Sequence, residues 1–109
     1  MDEATRTRFA TRARIIKAMA HPTRLFIVHE LGQGERTVGE LQAMVKADMS
    51  TVSKHLSVLK NEGIIQDDKR GNQVFYILRC PCVLDFFSCV ESVLQTNATV
   101  TLDLMEDRS

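Results

Sequence analysis

Apolar residues recur every three or four positions along most of this chain, and each run closes on a recognisable stop. From Thr5 to Ala20 the stripe is Phe9, Ala13, Ile16 and Ala20, with Arg6, Arg8, Arg12, Arg14 and Lys17 on other faces, which predicts a first helix. His21-Pro22 breaks it, and Pro22 suits the first turn of a second helix, where its missing amide would have no partner. Leu25, Phe26, Val28 and Leu31 give that helix a core side, and Gly32-Gln33-Gly34 is expected to end it as a flexible turn. Thr37-Val38-Gly39-Glu40 has the spacing of a capping box, in which hydroxyl and carboxylate satisfy each other's backbone amides. A short third helix carrying Val38, Leu41 and Val45 therefore starts there.

A brief Lys46-Ala47-Asp48 turn leads into the most clearly two-sided stretch. Asp48 is placed to cap a fourth helix and Gly63 to close it. Met49, Val52, Leu56 and Leu59 would face a core, Ser50, Thr51, Lys54 and Ser57 lie opposite, and Ser53 and His55 sit on the borders. Short hydroxyls permit close approach to a DNA major groove, Lys54 can meet phosphate, and Ser53 or His55 can bond a phosphate or a base edge. A plain solvated helix face would share this pattern, so the neighbours decide. Helix, turn and helix make a helix-turn-helix, whose second helix enters the groove. Ile64 to Lys69 then reads as a strand, Arg70-Gly71-Asn72 as a hairpin turn and Gln73 to Leu78 as the returning strand, which places Lys69 and Arg70 at a tip able to reach the sugar-phosphate backbone. Cys80-Pro81-Cys82 interrupts that strand. Val83, Phe86, Phe87, Val90, Val93 and Leu94 mark a last helix, and beyond Gln95 the period fades, so a loosely ordered acidic tail is expected from about residue 97.

The elements sum to a mainly α chain with one small β-hairpin, in the order α-α-α-α-β-β-α. At 109 residues, with no repeat and no internal linker, it reads as a single domain over 1–109. The formal net charge is zero, but residues 1–79 carry 13 Lys or Arg against 9 Asp or Glu, while residues 80–109 carry 1 against 5. Nucleic-acid binding needs a local basic surface rather than a basic protein, so this balance leaves it open. No apolar run approaches the roughly 20 residues of a membrane span and the N-terminus lacks a secretory block, from which a cytoplasmic protein without a membrane partner is expected. An enzyme is not expected either. No base is evident beside a nucleophile, and Cys80-Pro81-Cys82 is not a redox Cys-x-x-Cys.

Two segments, His21-Pro22-Thr23-Arg24 and Ser50-Thr51-Val52-Ser53-Lys54-His55-Leu56, in this order and at this spacing, resemble the ArsR/SmtB family of winged-helix repressors. The similarity covers roughly residues 5–95. It implies a winged helix-turn-helix, a homodimer through the first and last helices, and double-stranded operator DNA on the fourth helix and the wing. It also implies release of DNA when an inducer binds, with no cofactor required for DNA binding itself. The DNA-facing residues would be Ser50, Thr51, Ser53, Lys54, His55, Lys69 and Arg70.

Family members place their sensors differently. The cysteine pair found on the third helix has no counterpart at Leu41-Gln42-Ala43-Met44, and the last helix offers Asp85 and Glu91 but no histidine. What remains is Cys80, Cys82 and Cys89, an odd number unsuited to a disulfide framework. Three thiolates form the pyramidal set that trivalent arsenic or antimony takes, so arsenite or antimonite is the expected inducer, as in family members with cysteine trios near the last helix. In regular helix Cys82 and Cys89 would lie roughly 10 Å apart along the axis, so either Pro81 folds the other thiols back toward Cys89 or both subunits contribute. A dithiol redox or persulfide switch, a cadmium-type metal site, an iron-sulfur cluster, and thiols with no sensing role stay open beside it.

Overall fold

Asp2 opens the fold by accepting a 2.7 Å hydrogen bond from the Thr5 amide, which caps helix α1 (Glu3–Met19). The computed structural model of this chain describes residues 1–107. His21 caps helix α2 (Pro22–Gln33), with the proline in the first turn where it needs no amide partner. A two-residue strand β1 (Arg36–Thr37) leads directly into α3 (Val38–Val45), and the Thr37–Glu40 capping box closes with both bonds at 3.1 Å. Lys46, in the left-handed conformation at φ 60°, turns the chain toward Asp48, which caps α4 (Met49–Asn61) by accepting from Thr51 N at 2.7 Å.

Helix α4 stops as its sequence requires. Gly63 takes φ 76°, its amide donates to Lys60 O at 2.9 Å, and the Ile64 amide donates to Leu59 O at 3.0 Å, the two bonds of a Schellman close. Ile64 and Leu59, which meet across such a close, are both fully buried. Strand β2 (Ile65–Arg70) follows at once, pairs antiparallel with β3 (Gln73–Leu78) from Ile65↔Leu78 to Arg70↔Gln73, and returns through a two-residue loop. The sheet order is β1-β3-β2, so the expected hairpin gains a third strand on the β3 edge, with Arg36 opposite Tyr76. Helix α5 (Val83–Asp107) completes a winged helix-turn-helix.

The core is one cluster in which Ile27, Val28 and Leu31 of α2 meet Leu41 of α3, Val52, Leu56 and Leu59 of α4, and Ile64, Ile65 and Leu78 of the sheet. Leu59→Ala removes a side chain with no solvent exposure, and is expected to cost about 3 kcal/mol in a urea titration. A cost below about 1 kcal/mol would mean that α4 does not seat on this core.

Several positions differ from the pattern-based expectation. Met49 is 41% exposed because it is the first residue of α4, ahead of the turn that packs. Leu25 and Phe26 are 40% and 38% exposed, since α2 buries the adjacent stripe of Ile27, Val28 and Leu31 instead. Gly32 belongs to the last turn of α2 rather than to a flexible turn, and a Cβ there would lie 2.7 Å from a Leu84 methyl group of α5. Helix α5 also continues to Asp107, through the stretch from about 97 where a loose tail was expected; Arg108 and Ser109 lie outside the described residues. The hydroxyls that weakened the pattern fold back on the helix, Ser92 Oγ to Ser88 O at 3.1 Å, Thr99 Oγ1 to Gln95 O at 3.0 Å and Thr101 Oγ1 to Asn97 O at 2.9 Å, so they do not compete for its amides.

Candidate nucleic-acid interface and cysteine cluster

Capping at Asp48 and burial of Val52, Leu56 and Leu59 fix the rotation of α4, and that rotation leaves Ser50, Thr51, Ser53, Lys54 and Ser57 exposed along the opposite face. Among the described residues the side chains of Ser50, Ser53, Lys54 and Ser57 make no hydrogen bond or ion pair within the chain. The Asp48 pKa is lowered first by the Thr51 amide, then by the Thr51 side chain, and last by the nearby charge of Lys54. The face presents short donors and acceptors with one cation.

The wing is less simply basic than its sequence suggests. Arg70 donates from Nη1 and Nη2 to the two carboxylate oxygens of Glu35 at 2.7 and 2.9 Å, and from Nε to Asp68 at 2.9 Å. Its guanidinium also lies 4.5 Å from the centroid of the Phe75 ring. An arginine so engaged meets a phosphate only by giving up a bidentate partner. Lys60 is likewise held by Asp67 at 2.9 Å, whereas Lys69 forms no ion pair among the described residues.

His55 is turned inward. Its ring lies 4.6 Å from that of His21, and Nδ1 is 3.3 Å from Arg24 Nη1. Burial first, then the charges of His21 and Arg24, pushes its pKa below the usual imidazole value. From the border of the α4 face, His55 thus contacts the start of α2.

The three cysteines sit at the root of the wing and on α5. Cys80 is half-buried with Sγ 3.8 Å from Ile64 O, and burial raises its thiol pKa, with Cys82 adding to and Arg79 opposing the shift. Cys82 lies in the turn that feeds α5, whose amides at Val83, Leu84 and Asp85 bond three residues back, and Cys89 is exposed on the helix itself. Among the described residues no three His, Cys, Asp or Glu side chains come close enough to hold a metal ion. The fold-back of Cys80 and Cys82 toward Cys89 is therefore not present in one chain.

Residues 21–67, which include α2, α3, the turn and all of α4, match the model of the bacterial regulatory protein arsR family. The crystal structure of the transcriptional repressor BigR from Xylella fastidiosa is 30% identical, superposes with a TM-score of 0.72, and aligns over 85% of this chain and 96% of that one. This chain belongs to the ArsR family. Its 64-residue match to a biofilm growth-associated repressor of Agrobacterium fabrum is 41% identical, over 59% of this chain and 55% of that relative's length. The chain thus spans little more than half the length of that curated relative. A solution structure described as the homodimeric winged helix-turn-helix DNA-binding domain of Mb0332 from Mycobacterium bovis is 26% identical, with a TM-score of 0.75 over 90% of this chain and 91% of that one. The family is one of regulatory proteins, not enzymes. No helix of the described residues is long and apolar enough to cross a membrane.

In this ArsR-family chain α1, α2 and the start of α5 enclose an apolar groove of about 530 Å³, lined by Ile16, Met19, Leu25, Phe26, Phe86 and Val90 among others. Phe9, Ile16, Phe86, Val90, Val93 and Leu94 are each between 44% and 57% exposed along the same two helices. Sequence reading found the outward face of α4 and this apolar face, but not the Glu35–Arg70 pair or the Arg24–His55 contact. These join residues 35 and 31 positions apart, and no local signal marks them.

Proposed function

We propose that this chain is a homodimeric, DNA-binding transcriptional repressor whose helix α4 reads the major groove and whose wing rests on the adjacent backbone. The observation that carries the reading is the exposed face of Ser50, Thr51, Ser53 and Lys54, held outward by a capped, core-anchored helix directly after a short helix and turn. The second copy covers the apolar face of α1 and α5. A face this extended is more than a small monomer usually leaves in water, and a relative of the same fold is described as homodimeric. Cytoplasmic location follows from DNA as partner.

A thiophilic inducer, arsenite or antimonite, acts at Cys80, Cys82 and Cys89. The softness of three thiols supports this class, and because one chain does not gather them, the donors come from both subunits or from a rearranged 80–82 turn. The exposure of Cys82 and Cys89 supports a second reading, a thiol-oxidation switch, and a cadmium-type ion is the third.

Binding to the DNA upstream of the chain's own gene, with arsenite, antimonite, cadmium, zinc and an oxidant added in turn, tests both parts. Lys54→Ala and Lys69→Ala are each expected to shrink the slope of log affinity against log salt by about one per subunit. Arg70→Ala should change it less, because Glu35 and Asp68 already neutralise that side chain. Unchanged slopes in both lysine variants would remove the helix-and-wing assignment.

A further inference from the structure

We propose that His21, Arg24 and His55 are positioning residues that lock helix α4 at its working angle, and that the lock holds only while the His55 imidazole is neutral. The proposal rests on α4 being the DNA-reading helix. Arg24 joins three elements: it sits on α2, donates from Nε to Ala18 O at the end of α1, and reaches His55 Nδ1 on α4 with Nη1 at 3.3 Å. A guanidinium has donors only, so the Nδ1 of His55 must offer a lone pair and its proton must sit on Nε2. The Nδ1 of His21 accepts from Thr23 N at 3.1 Å, and a backbone amide also only donates, so that ring has the same tautomer. The two rings lie 4.6 Å apart, tilted by 42°.

Adding a proton to His55 Nδ1 sets N–H against N–H beside a permanent cation. With His55 charged, two positive charges share one small cluster. Among the described residues no carboxylate acts on His55 alongside His21 and Arg24. His21 and Arg24 are the groups whose charge acts on His55; around α4, Arg14 pairs with Glu62, Asp67 with Lys60 and Glu40 with its cap, while Lys69 forms no ion pair among the described residues and lies at the tip end of β2. A folded-state pKa below the ordinary value of about 6.5 means that the unfolded chain takes up protons first. The stabilisation is therefore complete above that value and is lost as pH falls below it.

Ordinary phosphate attraction predicts the opposite trend for DNA, because charging histidines strengthens it. Operator affinity of the full chain, measured by fluorescence anisotropy at constant ionic strength, is expected to fall about tenfold between about pH 8 and about pH 5.5. In His55→Gln the amide oxygen can still accept from Arg24 but does not titrate, so the change across the same range should stay within about twofold. Wild-type binding that is unchanged or tighter in acid, or a parallel fall in His55→Gln, overturns the proposal. A DNA-free arm separates this from failure of the DNA reading. Nitrogen NMR should find His55 as the Nε2–H tautomer near neutral pH, and the wild-type Tm should drop on acidification relative to that of His55→Gln. An Nδ1–H tautomer overturns the lock whatever the DNA does; an Nε2–H tautomer and acid-labile fold without operator binding at any pH uphold the lock and overturn the DNA reading.

Discussion

Val90→Glu is expected to give a folded monomer that binds operator DNA about a thousandfold more weakly than the wild type. Val90 is 44% exposed on α5 and Leu94, one turn on, is 57% exposed, so in a single chain the new carboxylate simply meets water and the fold has no reason to change. In a twofold dimer the same substitution occurs on both copies and places carboxylates in a dry apolar contact, where an unpaired charge costs about 3–5 kcal/mol. A monomer then holds one half-site at a time and loses the advantage of two recognition helices spaced by a turn of DNA. Sedimentation reads the assembly, circular dichroism the fold and anisotropy the affinity. A Val90→Glu protein that stays dimeric at micromolar concentration with wild-type affinity would place the interface elsewhere.

Replacing Cys80, Cys82 and Cys89 together by serine should leave operator affinity nearly intact while abolishing its response to arsenite. None of the three lies on α4, and the half-buried Cys80 packs at the edge of the core with a long contact to Ile64 O that a hydroxyl can replace. The response at stake is the coupling between inducer and DNA, typically about 5- to 150-fold in affinity. Single variants then divide the readings: an ion bound by three sulfurs loses most of its effect when any one is removed, whereas an oxidation switch survives loss of one thiol and answers to the oxidant. Alkylation adds an independent measure, because Cys80, partly buried and with its thiol pKa raised, should react more slowly than exposed Cys82 and Cys89. Release of the triple variant by arsenite at the wild-type level would put the inducer site outside the cysteines.

What the sequence made legible was whatever its local chemistry dictates. The Thr37–Glu40 box, the Asp48 cap and the Gly63 stop are satisfied within a few residues, so the boundaries of α3 and α4 could be read before any contact was known. The spacing of Val52, Leu56 and Leu59 likewise set which side of α4 is dry. Strand β1 was not legible, because two residues have no period and exist as a strand only through Tyr76 and Phe75 opposite. His55 sits on a border where periodicity cannot choose a side, and Arg24 chooses it from 31 positions away. The partner of Arg70 was not legible because the Glu35 carboxylate that holds it belongs to the loop after α2. The length of α5 was hidden by serines and threonines that read as loop yet bond their own helix. The three cysteines lie close in sequence but do not gather among the described residues of one chain, since Cys82 precedes α5 and Cys89 lies seven positions on along it.

The Schellman close at Gly63 has a mechanical meaning. Only three residues, Glu62, Gly63 and Ile64, separate the last residue of α4 from the first of β2, and the carbonyl of Ile64 also accepts the Arg79 amide at 2.9 Å. Reading helix and wing are thus splined at a joint with no slack, clamped a second time where Lys60 grips Asp67. Such an assembly does not loosen piece by piece. If α4 reads DNA as proposed, a signal arriving at the wing root would swing the whole head as one tool, and letting go of DNA would be a change of aim between two heads rather than a softening of either.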